Sequence, residues 1–481
     1  MSLRNKAMSG VIWTIIQNVV HRGMTLVVFV ILARLLEPED FGLVAIAGLL
    51  SVIGQEIAKM GFAAAIIQRK ELEERHIDSV FWFVLLMSSG LYVLLVLIAP
   101  IMEKQFDAVG LASVVNWLGL GLIVMAISKI PESLMRRHMQ FKYLAIRTMI
   151  GAAIGGVVGV VCAVLGFGVW SLVAKELVEI VVSSMIVWLS SDWKPRAVFS
   201  RRHLVQLMPF GLNEFGSSLL QILNQHLDRM VITMSMAPAV LGQYFIGKRL
   251  MLILQQTSNQ TISSVMFPVL AQVQGSQERF RSVYLKTNGM IVLVAIPIFS
   301  ALIMKGDVIV IWAFGGQWKE ASEVAKIFGG VGLIQSFSML AQPALKAKGY
   351  PEVAFKIGLS RVILDMVLFY YLRTLGIMGI AYAILLRSLI MAPIIIFIAK
   401  KIFAFSMGEY IGHMKALIAG LGVFVGVIMV LQVVIETPHN GIAIVMMQLV
   451  IAGLAYAATV YGLDGPLIRE AISIKRRLPK S

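Results

Sequence analysis

Fourteen mostly apolar runs of about twenty residues, separated by short breaks, set the first limit on what this chain can become. They lie at approximately 10–33, 41–67, 79–102, 111–134, 146–166, 169–190, 207–235, 240–270, 286–304, 325–345, 354–372, 378–399, 412–435 and 441–462. A helix crosses the hydrocarbon core of a bilayer in roughly 20 residues, and it satisfies all its backbone polar groups internally. The chain is therefore read as an all-α polytopic membrane protein with about 14 transmembrane helices. Composition agrees, with 58% hydrophobic residues, 14% charged residues and a mean hydropathy of +0.85, whereas roughly a quarter of a soluble domain is charged. The first run lacks a signal peptide's cleavage pattern and leads straight into a second, so it reads as a retained helix.

The formal net charge of +16 would suggest nucleic acid in a soluble chain, so the placement of Lys and Arg decides its meaning. Most of these residues fall in alternate connections on the side shared by both termini, from Arg4 and Lys6 to the tail bearing Arg469, Lys475, Arg476 and Arg477. The opposite side receives Arg34, Lys104, Lys305, Lys319, Lys326 and Arg373. Both termini are expected in the cytoplasm, and no nucleic-acid partner is needed to explain the charge. The single cysteine, Cys162, sits in an apolar run, so neither an intrachain disulfide nor a cysteine metal site is expected. The outer connection with Trp312, Phe314 and Trp318 is expected to lie along the headgroups as an aromatic anchor.

A break recurs with its surroundings. Pro38 and Gly42 sit between two polar-flecked apolar runs, and Pro238 and Gly242 repeat the arrangement; Gly166-Phe167-Gly168 and Gly376-Ile377-Met378-Gly379 form a second matched pair. A parallel repeat follows, with an N-terminal six-helix bundle over 1–200 and a second over 201–402. Two further helices occupy 403–464, and a basic cytoplasmic tail occupies 465–481.

Charged groups inside a span cost at least about 2.5 kcal/mol each at the bilayer centre, so they are expected to face a cavity or a partner. In the first run Thr14, Asn18, His21, Arg22 and Thr25 make one polar stripe; in the second Ser51, Gln55 and Lys59 line up beside Glu56. In the seventh, Asn213, Ser217, Gln221, Asn224 and Asp228 share a face, with Glu214 nearby. The eighth adds Lys248, Arg249, Gln255, Gln256, Asn259 and Gln260. The expected substrate-binding set is thus His21, Arg22, Gln55, Lys59, Asn213, Gln221, Asn224, Lys248, Arg249, Gln256 and Asn259. Gating or ion coupling is assigned to Glu56, Glu214, Asp228, Arg361, Asp365 and Arg387.

Structural readings compete at each place. Amides and hydroxyls also glue helices together. Arg22 has Glu214 and Asp228 as candidate partners, Lys175, Glu176 and Glu179 have the spacing to neutralise one another, and Arg361 and Asp365 suit an i,i+4 ion pair. Cations slightly outnumber carboxylates inside the spans, which favours an anionic cargo over a cationic drug. Loops for ATP binding, His-Glu-x-x-His and Gly-x-Ser-x-Gly are all missing from the sequence, so no enzyme is expected.

The segments Leu32-Ala33-Arg34-Leu35-Leu36-Glu37-Pro38-Glu39-Asp40-Phe41-Gly42 and Asn224-Gln225-His226-Leu227-Asp228-Arg229, with Leu241-Gly242-Gln243-Tyr244, resemble the polysaccharide-transporter branch of the MOP exporters. Within it the chain is most similar to Wzx-type flippases of the colanic-acid exporter group. The resemblance implies two six-helix bundles in a V shape around a cationic cavity, fourteen helices as in related lipid II flippases, and an essential helix-1 arginine that Arg22 matches best. It implies export of undecaprenyl-pyrophosphate-linked oligosaccharide across the bacterial inner membrane. No cofactor is expected beyond coupling to Na+, H+ or the membrane potential. Expected partners are that lipid-linked oligosaccharide, membrane lipids and the polysaccharide polymerase or chain-length proteins. The alternatives are a small-molecule or drug exporter of the same superfamily and a membrane polysaccharide polymerase or ligase.

Overall fold

The computed structural model describes residues 3–256, 266, 269–435 and 441–464, with side chains described for Trp13 and from Gln17 onward. Among these residues the regular structure is helical throughout. In chain order the helices are α1 (Leu3–Leu35), α2 (Pro38–Lys59), α3 (Phe62–Gln68), α4 (Glu74–Gln105), α5 (Leu111–Arg137), α6 (Phe141–Val164), α7 (Val169–Leu189), α8 (Arg201–Ser235) and α9 (Pro238–Gln255). There follow α10 (Gln277–Phe314), α11 (Lys319–Ser336), α12 (Ala341–Ala347), α13 (Pro351–Leu372), α14 (Gly376–Phe403), α15 (Met407–Val434) and α16 (Ile442–Leu463).

Every expected span overlies one of these helices or a broken pair, except that the run 240–270 is described only to Gln256, at 266 and from 269 onward, the rest lying outside the described residues. The run 41–67 divides into α2 and α3 at Met60 and Gly61, both left-handed with φ of 40° and 71°. The run 325–345 divides into α11 and α12 at a turn over 337–340. Among the described residues, ten stretches are long and apolar enough to cross a membrane by themselves, with α13 and α14 merged into one of 53 residues. The helices α7, α8 and α9 fall short of that criterion, and they carry charged or polar stripes.

The chain forms two compact units, one reaching to Gly242 and the other starting at Gln243. In the first, α6 lies between α1 and α7, α5 is packed by α2, α4 and α7, and α2, α3 and α4 all touch α8. Phe62, Ile66, Val80, Phe81, Ile130 and Leu207 form its core where α3, α4, α5 and α8 meet. The approach of α6 to α7 depends on small residues, which let helix backbones come close in a membrane. A β-carbon at Gly155 would lie 2.7 Å from the Lys175 carbonyl oxygen, and one at Gly159 would lie 2.6 Å from the Lys175 β-carbon. Gly159→Val is therefore expected to destabilise the protein by about 1–3 kcal/mol through overpacking. Thermal unfolding of the purified protein checks this against Gly90→Ala, a position with open space around it, which should be nearly neutral.

In the second unit α10 packs on α11, α15 and α16, while α14 joins α11 and α13. Its core contains Phe280, Tyr284, Phe403, Phe405, Tyr410 and Phe424. The turn between α11 and α12 leaves the Phe337 carbonyl free of its helical bond. Asn288 Nδ2 and the Tyr410 hydroxyl donate to it at 3.0 and 2.8 Å. Buried backbone acceptors need such replacements.

The aromatic anchor expected after α10 is corrected. Phe314 and Trp318 are buried in the second unit and only Trp312 is exposed, because a 3-10 turn over Gly316–Trp318 folds the segment inward. Gln243 holds that turn, its Nε2 donating to the Gln317 carbonyl at 2.6 Å and its Oε1 accepting from Ala321 N–H at 2.9 Å.

Candidate functional site

The repeated turns meet each other. Pro38 starts α2 at a position where a missing N–H costs nothing, and Glu37 and Asp40 form a reciprocal capping box across that start. Within the first unit the start of α2 crosses the start of α9. A β-carbon on Gly42 would collide with the Pro238 carbonyl oxygen, and one on Gly242 would collide with the Pro38 carbonyl oxygen. The relation is reciprocal, as expected of two copies of one element. A second close contact sits at the far end of α2, where a β-carbon on Gly211 of α8 would lie 2.7 Å from the Met60 carbonyl oxygen. Nearly all of the 22-residue α2 separates the two contacts, or roughly 30 Å at 1.5 Å per residue.

The polar stripe of α8 lies between these levels. Asn213, Glu214, Ser217 and Gln221 are exposed, Asn224 is half-buried and Asp228 is buried. Ser217 Oγ donates to the Asn213 carbonyl at 3.2 Å and Asn224 Nδ2 to the Leu220 carbonyl at 2.9 Å, both on α8 itself. Exposed amides and a carboxylate in mid-span require water beside them, since lipid would leave them unsatisfied. This favours a water-filled space over helix glue for the N-terminal half of the stripe.

Other expected residues are tied into local networks. Lys59 Nζ donates to Glu56 Oε1 at 2.7 Å, so these two neutralise each other beside half-buried Gln55. His21 Nε2 lies 3.7 Å from Glu179, which also takes Lys175 at 2.8 Å, and Lys175 lies 3.2 Å from Glu176. The Lys175, Glu176 and Glu179 group is thus a charge network on α7 that His21 joins from α1. Arg22 is half-buried next to it. On α8 the Arg229 backbone N–H donates to Asp228 Oδ1 at 2.9 Å.

In the second unit Lys248 is buried, and Arg249 and Gln256 are half-buried. Asn259 lies outside the described residues. The i,i+4 pairing expected of Arg361 and Asp365 is replaced by a pair between Asp365 on α13 and Arg387 on α14 at 3.2 Å. Asp365 is turned into the α13–α14 packing, where Arg387 meets it. Arg361, one turn earlier, lines a small cavity with Gln335, Ser338, Arg387 and Ser388.

Two clusters escaped sequence reasoning as units. Glu132 on α5 accepts Lys129 at 3.3 Å, Arg136 at 2.8 Å and Arg147 of α6 at 2.9 Å. The i+3 and i+4 spacings signal the first two, but Arg147 arrives only through the packing of α6. The second cluster lies where the start of α4 meets α8 and the segment before it. Arg196 pairs with Glu74, Ser79 Oγ accepts the Ser200 N–H at 2.8 Å, and Arg69 and His76 both reach Gln206. Glu73, His76 and His203 bring one ligand atom each within 4.8 Å of the others. Their nitrogens are already engaged: His76 Nδ1 accepts the Glu73 N–H at 3.2 Å, and His203 sits between Ser200 at 2.6 Å and Glu73 at 3.3 Å.

Comparison with known proteins fits this architecture. The family described as "Polysaccharide biosynthesis protein" matches residues 31–323. The chain is 24% identical to the lipopolysaccharide biosynthesis protein WzxC of Escherichia coli K12, covering 76% of this chain and 74% of that one. It is 28% identical to the succinoglycan biosynthesis transport protein ExoT of Rhizobium meliloti, covering 73% and 71%. Among solved structures it is similar to a lipid II flippase, MurJ, in an inward closed conformation, with a TM-score of 0.75 at 14% identity over 94% of this chain and 99% of that one. An inward-facing multidrug resistance MATE transporter of the MOP superfamily follows at 0.59 and 16% identity, over 79% and 94%. With the family model matching residues 31–323, more than half of the chain, and the fold shared with these transporters, the chain belongs to the polysaccharide biosynthesis protein family.

Proposed function

We propose that this protein is a flippase that moves undecaprenyl-pyrophosphate-linked polysaccharide repeat units from the cytoplasmic to the outer leaflet by alternating access. The observation that carries the reading is the α8 stripe, where Asn213, Glu214, Ser217 and Gln221 stand exposed in mid-helix in a chain whose other exposed helix faces are largely apolar. Amides and hydroxyls of that kind suit sugar hydroxyls. Relatives named for lipopolysaccharide biosynthesis and succinoglycan transport support the class of cargo.

In this reading Arg22 and Arg249 hold the pyrophosphate, since guanidinium matches phosphate oxygens bidentately and stays charged when desolvated, while Lys248 adds charge and Lys59 does so on leaving its pair with Glu56. The prenyl tail stays in lipid. The six-helix bundles over 1–200 and 201–402 rock about the cargo, with the Gly42–Gly242 and Gly61–Gly211 contacts as gates. With the interior negative, moving two negative charges outward gains roughly 4 to 5 kcal/mol per 100 mV, enough for the potential to bias export, alone or together with coupled Na+ or H+. The location is the bacterial inner membrane with both termini cytoplasmic, and the polymerase or chain-length proteins receive the product.

Arg22→Ala is expected to stop polymer production while protein levels in the membrane stay normal, with prenyl-linked oligosaccharide accumulating in extracted lipids. Normal polymer yield from that variant would sink the assignment.

A further inference from the structure

Arg361 lies near the middle of the 22-residue α13, roughly 15 Å from either helix end at 1.5 Å per residue. That distance is beyond an arginine's reach to the headgroups. Among the described residues its guanidinium enters no hydrogen bond or ion pair. The charges acting on it are Arg387 and Asp365. Asp365 is already paired with Arg387 at 3.2 Å, their side chains being 5% and 11% exposed. Guanidinium does not lose its proton in proteins, so this cluster carries one positive charge in excess at a depth where a lone cation is costly.

The cavity that Arg361 shares with Arg387 is walled on one side by Gln335, Ser338 and Ser388. That wall is braced: Gln335 Nε2 donates to Ser388 Oγ at 3.1 Å, Gln335 Oε1 accepts from Gln255 at 3.2 Å, and Ser388 Oγ donates to the Ile384 carbonyl at 2.8 Å. Ser338 sits in the turn between α11 and α12, its hydroxyl facing the Gln335 carbonyl at 3.5 Å. The space has room for about one water-sized particle. A monatomic ion suits such a space better than phosphate or a sugar.

We propose that this cavity binds a single small inorganic anion of chloride size, held by Arg361 and Arg387 and supplying the missing negative charge. The remaining amide hydrogen of Gln335 and the Ser338 hydroxyl complete its surroundings, and the Asp365 carboxylate behind Arg387 biases the anion toward Arg361. The site belongs wholly to the second unit and stands apart from the residues assigned to the cargo.

Purified full-length protein in detergent, heated in sodium chloride, sodium bromide or sodium gluconate at equal ionic strength, tests this. Chloride and bromide should raise the unfolding midpoint saturably by about 2 to 4 °C over gluconate. Arg361→Gln should remove the difference, and Arg361→Lys, which keeps the charge, should retain part of it. Bromide located by anomalous scattering in crystals of the unaltered protein decides the matter independently of whether the glutamine variant folds. Equal midpoints in the three salts, a halide response unchanged in Arg361→Gln, bromide absent from the cavity, or a response to added pyrophosphate in place of halide would each overturn the proposal. Export in cells, read by polymer yield, separates its failure from failure of the flippase reading.

Discussion

A valine at position 42 is expected to abolish polymer export while leaving the protein in the membrane at normal levels. The Gly42 α-carbon faces the Pro238 carbonyl so closely that even a methyl group collides with backbone. Neither α2 nor α9 yields by turning a side chain, so the helices must separate. Overpacking of this kind costs about 1–3 kcal/mol, enough to shift a two-state equilibrium by about 5- to 150-fold. A carrier that alternates between closed and open outer ends would then be held open. Gly242→Val should act alike, because its β-carbon meets the Pro38 carbonyl. Gly48→Ala, with open space around the position, serves as the tolerated control. The measurements are membrane protein level and the prenyl-linked oligosaccharide retained by cells, and wild-type export from Gly42→Val would remove the gate from the mechanism.

Glu132→Gln is expected to act on folding itself. One carboxylate, 9% exposed, holds Lys129, Arg136 and Arg147, whose side chains are 24%, 48% and 15% exposed. Removing one partner of a buried charge pair costs about 3–5 kcal/mol because the remaining charge stays buried. Arg136 contributes little to that loss, since water screens its half-exposed head. Lys129 and Arg147 carry most of it, and Lys59 adds repulsion toward Lys129. The variant should be depleted from membranes and should unfold at lower temperature. Adding Lys129→Met, which removes one of the stranded charges, should recover part of the loss. Unchanged thermal stability in Glu132→Gln would show that the cluster is better hydrated than its burial indicates.

Apolar periodicity made the helices legible, because a bilayer admits few other solutions and a twenty-residue run has little choice of structure. Polar spacing made the α8 stripe legible for the same reason, since the residues at steps of three and four from Asn213 share a face in any helix. Pairing across helices was less readable. Asp365 had an ideal local partner in Arg361 and took Arg387 instead, because helix packing sets which neighbour arrives. Trp318 carried the composition of a headgroup anchor, yet a 3-10 turn drew it into the core. The repeat showed that Gly42 and Gly242 are equivalent positions. That the two touch each other is a property of tertiary structure and leaves no mark in either segment alone.

Gln243 gives the second turn a mechanical role. It follows Gly242 directly, and its amide is locked at both ends, donating to the Gln317 carbonyl and accepting from Ala321 N–H. The seam between the two compact units falls at this same peptide bond. Gln243 thus acts as a clasp, fastening α9 through one amide to the 3-10 turn that buries Trp318.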